Sequence, residues 1–498
     1  MWLTEFATTF FTWAALLFVI VVGLLIALII ALYIIDVRQT THAIRRNYPV
    51  IGRARYWFEH LGEFFRQYFF AMDREEMPFN RAQRSWVYRA AKGLKNTLPF
   101  GSTRDLRPEG TIMFVNDAFP PLVKQTLPPK TLILGESYCE TPYSISSVIN
   151  ISGMSYGAIS KPAVQALSHG AKLAGCWYNT GEGGLSAFHL EGGCDIVFQI
   201  GTGKYGVRDE EGNLSDEKLA EVAAHNEVKM FEIKLSQGAK PGKGGILPST
   251  KVTEAVAKVR GIRVGEDSIS PNRHVDVENN EQLLDMIQRV RKITGKPVGF
   301  KAVVSAEQWL DELLPLIKKR GLDSAPDFIT VDGAEGGTGA APMSLMDDVG
   351  LTIKESLPLL IDKLIEYDLR DRIKVISSGK LITPTEAAWA LCMGADFVAT
   401  ARGPMFALGC IQALQCNKNT CPTGITTHDK DLQKGLVVEN KKQRVANYIM
   451  ALDKEIRVIA NSCGVKQPRE LNRHHARIVV GPNQSKTLAQ LFPTVDPR

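Results

Sequence analysis

Between residues 148 and 410 the chain alternates short apolar runs with helix-patterned stretches, and this rhythm restricts its fold more than any other feature. Eight segments read as strands: 148–152, 176–180, 195–200, 229–235, 298–304, 328–333, 373–379 and 396–401. Between them lie stretches such as KPAVQALSHGAKLAG, NEQLLDMIQRVRKITG and AEQWLDELLPLIKKRG, with apolar residues three and four apart. Parallel strands joined by helical crossovers give a closed (β/α)8 barrel or an open doubly wound sheet. The count of eight, and the lack of a GxGxxG turn opening the first unit, favour a TIM barrel. Its functional groups then belong just after the strands, at the C-terminal face.

The chain has 498 residues, more than such a barrel needs. Ahead of the barrel, Phe10 to Ile35 form an uncharged apolar run of 26 residues. As a helix it is about 39 Å long at 1.5 Å per residue, enough to cross a bilayer with tilt. The run is too long for a signal peptide, and neither a basic leader nor a small-residue cleavage site flanks it. Arg38, Arg45, Arg46, Arg53 and Arg55 follow it and only Glu5 precedes it, which places the C-terminal part in the cytoplasm. The expected layout is a transmembrane anchor (1–36), a helical juxtamembrane segment (37–100), a proline-rich irregular lead-in (101–147), the barrel with a cysteine loop (148–427), and a C-terminal helix with a polar tail (428–498). The juxtamembrane stretch RYWFEHLGEFFRQYFFAMD is amphipathic and aromatic; it suits either the membrane surface or packing on the next domain.

Net charge is +6, from 59 basic and 53 acidic residues, with no basic run or interleaved aromatic pattern, so nucleic acid is not an expected partner. The eight cysteines are irregularly spaced in a long chain, which argues against a secreted disulfide framework. Three of them, Cys410, Cys416 and Cys421, fall within twelve residues. Four thiolates suit zinc or a four-iron cube, whereas three suit a cluster with one corner missing. Spacing alone leaves this open against buried thiols in a reducing compartment.

The strand ends are rich in glycine and charge. SGMSYGAIS (152–160) follows the first, and NTGEGG (179–184) sets Glu182 among glycines after the second. Such a carboxylate binds an amine or moves a proton. KLSQGAKPGKGG (234–245) brings Lys234 and Lys240 to an anionic substrate, with Lys243 read as solvent-exposed. Lys301 sits inside an apolar strand, where a lysine needs a partner; opposite a flavin it stabilises negative charge on the reduced ring. VDGAEGGTGAAP (331–342), SSGKL (377–381) and VATARGP (398–404) form a phosphate grip of the kind barrels carry.

Taken in order, SGMSYGAIS, NTGEGG, QGAKPGKGG, SPNRHVD, EGGTGAAP, MGAD and the cysteine block resemble the FMN-binding synthase domain of glutamate synthase, over residues 145–465. The resemblance implies a (β/α)8 barrel with FMN and a 3Fe-4S cluster ligated by Cys410, Cys416 and Cys421. It implies reductive amination of 2-oxoglutarate by ammonia, with FMN supplying the hydride. Met154, Ser155, Gln199, Lys301, Gly336, Gly337 and Gly379 would then hold FMN, with Lys380 at its phosphate. Glu182 would meet ammonia, with Lys301 the second catalytic group, and Lys240 and Arg260 would bind the oxo-acid carboxylates.

The chain also departs from that family. Because it starts with the anchor, the family's N-terminal cysteine nucleophile and glutaminase domain are expected to be missing, as is the C-terminal β-helical domain; free ammonia is the expected nitrogen source. Ile246 replaces a glutamine beside the oxo-acid, a loss of about 1–3 kcal/mol if the carboxylate goes unmet. With no nicotinamide fingerprint, electrons are expected from ferredoxin or another donor protein. The alternatives are an anchored flavoprotein acting on a different amino or hydroxy acid, a non-catalytic membrane-tethered scaffold, and a non-redox barrel gripping a phosphorylated substrate.

Overall fold

A computed structural model describes residues 2–497 and separates two units, Met1–Ala82 and Gln83–Arg498. In the first unit, one helix spans Trp2–Arg38. It is long and apolar enough to cross a membrane, and its apolar window is entirely exposed. Asp36 near its end is buried and pairs with Arg45 (3.0 Å) and Arg53 (2.8 Å). Its carboxylate also accepts from the Val50 main-chain N–H at 3.0 Å, so one acid fixes the turn into the helix Gly52–Phe65. That helix continues as a π-helical turn, Arg66–Phe70.

The second unit contains the expected closed barrel of eight parallel strands. In chain order these are β1 (Ile149–Ile151), β2 (Tyr178–Asn179), β3 (Ile196–Ile200), β4 (Val228–Lys234), β5 (Val298–Ala302), β6 (Phe328–Asp332), β7 (Lys374–Ser378) and β8 (Phe397–Thr400). Each falls inside its predicted segment except β4, which begins one residue early. Every residue of β3, β5 and β6 is buried, as expected of strands covered on both faces. Helices follow the pattern too, including Lys161–Ala174, Asn280–Thr294 and Glu307–Arg320. The helix Lys161–Ala174 packs beneath the long C-terminal helix Val438–Ser462, where Gly170 lies against Val445.

Two stretches differ from the sequence reading. The lead-in is not wholly irregular: Leu132–Leu134 and Tyr143–Ile145 pair antiparallel. Leu134, Tyr143 and Ile145 pack with Trp177, Phe328 and Phe397, residues at the N-terminal ends of β2, β6 and β8. This hairpin stoppers the barrel floor and leaves the opposite face for chemistry. The polar tail likewise forms strands, Ala476–Gly481 and Gln484–Thr487, in one sheet with Ile112–Phe114. These strands are three to six residues long, too short for a clear period, and the pairing of Ile112 with Ile478 spans more than 300 positions.

Candidate active site

The C-terminal strand ends assemble a buried row of charges. Lys234, the last residue of β4, is in register with Lys301 of β5. Each ammonium has its own carboxylate: Lys234 Nζ lies 3.1 Å from Glu182 Oε2, and Lys301 Nζ 3.1 Å from Asp332 Oδ2. Asp332 also accepts from the Gly238 N–H at 3.0 Å. Burial works to lower the Lys301 pKa, but Asp332 and Glu232 outweigh it and hold the ammonium above its usual range.

Below this row Glu232 is buried inside the barrel. It accepts from Asn179 Nδ2 (2.9 Å), Gln199 Nε2 (2.7 Å) and Thr330 Oγ1 (2.5 Å). Gln199 is thereby tied down by a carboxylate from the neighbouring strand. On the β1 side, the Met154 carbonyl accepts from the Tyr178 hydroxyl at 3.0 Å.

Glu182 sits between two strand-end loops. A Cβ on Gly201 or Gly245 would come within 2.5 Å of its side chain, so only glycine lets these backbones close on the carboxylate. Burial works to raise its pKa; Lys234, Lys240 and Arg260 together win and keep it below the ordinary glutamate value. Lys240 is buried, and that burial, with Lys234 close by, brings it down to about 8. Arg260 ends the helix Glu254–Arg260 and stacks over the Tyr205 ring, 5.1 Å from its centroid. Its terminal nitrogens reach Ser268 Oγ (3.3 Å), Ser155 Oγ (3.5 Å) and the Tyr156 carbonyl (3.4 Å), and its Nε has no partner among the described residues. One carboxylate among three buried cations leaves a local positive excess, which suits a ligand with more than one negative charge.

Lys240, Ile246 and Arg260 all belong to the long β4–β5 connection. Ile246 pairs with Ile269 in a two-stranded ribbon. It is 40% exposed, while the preceding Gly245 faces Glu182.

A second cluster forms after β6, β7 and β8. The Gly337 carbonyl accepts from Gln237 Nε2, and Arg402 donates to the Glu335 carbonyl. A Cβ at Gly337 would meet Arg402 Cδ at 3.0 Å. Gly379, at φ 123°, permits the sharp turn into Lys380, itself left-handed at φ 57°. Burial lowers Arg402 to about 10, and burial with the Arg402 charge lowers Lys380. Two cations pressed together beside glycine backbone make a cradle for phosphate. Arg402 was not singled out from sequence, although it lies within the VATARGP motif.

The third group is the loop after β8. All eight cysteines are free. Burial pushes Cys410 up to about 12 and raises Cys416. For Cys421 burial is opposed and overcome by hydrogen bonding, with Thr423 Oγ1 3.4 Å from its sulfur, and its thiol falls below the usual value. Cys410 feels the charge of both other thiols. Gln412, Leu414 and Asn419 are left-handed (φ 60°, 53° and 60°), so the loop is tightly coiled between its thiols. Among the described residues no three His, Cys, Asp or Glu converge tightly enough for a single metal ion.

The C-terminal strand ends of this (β/α)8 barrel thus carry a cation-ringed carboxylate, a glycine-backed Lys–Arg pair and a three-thiol loop. Residues 118–466 match the conserved region of glutamate synthase, and the chain belongs to the glutamate synthase family. It is 40% identical over 494 residues to the glutamate synthase large subunit-like protein YerD of Bacillus subtilis (strain 168), covering 91% of this chain and 93% of that one. It is 33% identical over 319 residues to the archaeal-type glutamate synthase (NADPH) of Thermotoga maritima, covering 64% of this chain but only 59% of the relative. A solved active chimera of (S)-mandelate dehydrogenase is similar at 12% identity and a TM-score of 0.48, over 73% of this chain and 87% of that one.

Proposed function

We propose that this chain is a glutamate synthase-type oxidoreductase that uses FMN and a 3Fe-4S cluster to form glutamate from 2-oxoglutarate and free ammonia. The observation that carries the reading is the half-buried Glu182 among the buried Lys234, Lys240 and Arg260, one carboxylate among three cations at the barrel rim. Lys380 and Arg402, with the backbone of Gly336, Gly337 and Gly379, fit the FMN phosphate. Met154, Ser155, Gln199 and Lys301 fit its ring, and Cys410, Cys416 and Cys421 fit the cluster. When bound, the flavin supplies a hydride to the imine carbon and the cluster supplies electrons one at a time.

The remaining work falls to side chains. Lys240 and Arg260 pair with the two carboxylates of the oxo-acid. Glu182, ionised at neutral pH, accepts an N–H of the incoming ammonia and takes the proton released as the C–N bond forms. Lys301, kept charged by Asp332, would supply positive charge to a bound flavin ring. Electrons enter from ferredoxin or another donor protein. The Trp2–Arg38 helix crosses the membrane once, and the arginines after it keep the barrel in the cytoplasm.

The test uses anaerobic, detergent-purified protein. It is reduced, mixed with 2-oxoglutarate and ammonium, and followed for flavin reoxidation and glutamate. Matched reoxidation and glutamate support the reading; flavin that stays reduced refutes this substrate pair. The Lys240 value adds a pH test. Only its ammonium form attracts a carboxylate, so kcat/KM for the oxo-acid should fall above pH about 8, by about tenfold per unit. Stability moves the other way. Unfolded lysine keeps its proton to about 10.4, so between the two values the unfolded chain binds more protons, and this group's contribution to stability rises with pH.

Ile246 favours a second reading, in which the same cofactors serve a different amino or hydroxy acid. If the substrate is 2-oxoglutarate, Ile246→Gln should leave its kcat/KM within about threefold, since a solvated contact adds little. A gain of about tenfold or more, equal to about 1.4 kcal/mol, points to the second reading.

A further inference from the structure

Lys251 takes no part in the sites described above, yet only 2% of it is exposed. It ends a single 3-10 turn, Ser249–Lys251, in the β4–β5 connection. Its Nζ donates to two carbonyls on different loops: Ala158 at 2.6 Å, in the loop after β1, and Cys416 at 3.2 Å, in the cysteine loop after β8. The same two loops meet at two further points. His428 Nε2 lies 2.9 Å from the Gly157 carbonyl, and the Ser160 N–H donates to the Ile425 carbonyl at 2.8 Å. Asn419 Nδ2 also reaches the Thr250 carbonyl at 3.2 Å, tying the cysteine loop back to the turn that carries Lys251.

A buried ammonium needs negative charge to offset its lost hydration. Both of its acceptors are neutral main-chain carbonyls. Burial, the larger effect, brings its pKa down to about 8; the charges of Cys416 and Cys421 act on it favourably, against the repulsion of Arg260. As a clasp alone, this position would be served by any donor of the right reach. The choice of a full positive charge gains its reason from two neighbouring sulfurs that carry negative charge when they ligate iron.

We infer that Lys251 is a positioning residue for the cysteine-bound centre: it clasps the cysteine loop to the loop after β1 and, as an ammonium, sets positive charge near Cys416 and Cys421 that favours the centre's reduced, more negative state. The inference rests on the proposed cluster and deepens that reading. A cation close to a redox centre shifts its one-electron equilibrium toward reduction, since the added electron is attracted by the charge.

The test compares wild type, Lys251→Gln, Lys251→Met and Lys251→Arg, all full-length and purified anaerobically. Iron and sulfide per chain are measured first, then the midpoint potential by EPR-monitored titration. The expected result is a Gln variant that keeps its iron but is reduced at a lower potential, by at least tenfold in the reduction equilibrium, which is 59 mV for one electron. Arg should return to the wild-type midpoint. Gln and Arg variants that both match wild type would overturn the inference while leaving the cluster in place. Wild-type protein without iron would overturn the cluster itself and the inference with it. If the Met variant fails to fold, Gln, which keeps a donor, decides the matter.

Discussion

Lys301→Met should unfold at a lower urea concentration than the parent chain, with a loss of about 3–5 kcal/mol, the usual cost of stranding one member of a buried ion pair. Lys301 and Asp332 are both almost fully buried, 3.1 Å apart, so the methionine leaves a buried carboxylate supported by the Gly238 N–H, the Ser378 hydroxyl and the charge of Arg402, without its ion-pair partner. The Glu232 carboxylate, which helps hold the charge on Lys301, loses that attraction at the same time. Adding Asp332→Asn removes the stranded charge and should recover most of the loss. Flavin retention separates the two roles of this lysine. If Lys301 also faces the flavin ring, the double variant regains stability but still purifies with less FMN per chain than the parent. A double variant with parental stability and full flavin would confine Lys301 to structure.

The same lysine shows what was legible in the sequence and why. A charge inside an apolar strand demands a partner, so Lys301 was visible from its strand alone; Glu232, inside KMFEIKL, offers the same signal and was passed over. The eight barrel strands were legible because each is a short apolar run bounded by glycine or charge, and the crossover helices because of their period. The partners were not. Asp332 lies 31 positions from Lys301, and Glu182 lies 52 positions from Lys234, so each pair exists only once the barrel closes. Lys251 lies in LPSTKVT, a stretch with no period, and nothing local distinguishes it from a surface lysine. The hairpin under the barrel was hidden for a related reason: three-residue strands carry almost no alternation, and their meaning comes from Trp177 and Phe397, far along the chain.

Glu182→Gln should lower turnover with 2-oxoglutarate and ammonium by about 10²–10⁴-fold, the usual contribution of a positioned acid–base group. Glutamine is nearly isosteric, so it fits between Gly201 and Gly245, where a larger group would collide. The variant therefore avoids a collision, but it strands Lys234, which keeps Gln237 Oε1 at 2.8 Å as an acceptor and loses its carboxylate, so its urea midpoint should fall below that of the parent. Its electrostatic effect is specific. Glu182 is the one group that raises the Lys240 pKa against burial, Lys234 and Lys243. Without it Lys240 falls below its present value of about 8, and the alkaline limb of kcat/KM moves to lower pH. Two roles for Glu182 then separate in one set of profiles. If it only neutralises the cations, KM and the pH limb shift while kcat at saturating oxo-acid survives. If it takes the proton from ammonia as the C–N bond forms, kcat falls at every pH, and raising ammonium does not restore it. A Glu182→Gln enzyme with parental kcat would remove this carboxylate from the chemistry and leave it as the counter-ion that lets Lys234, Lys240 and Arg260 share one buried rim.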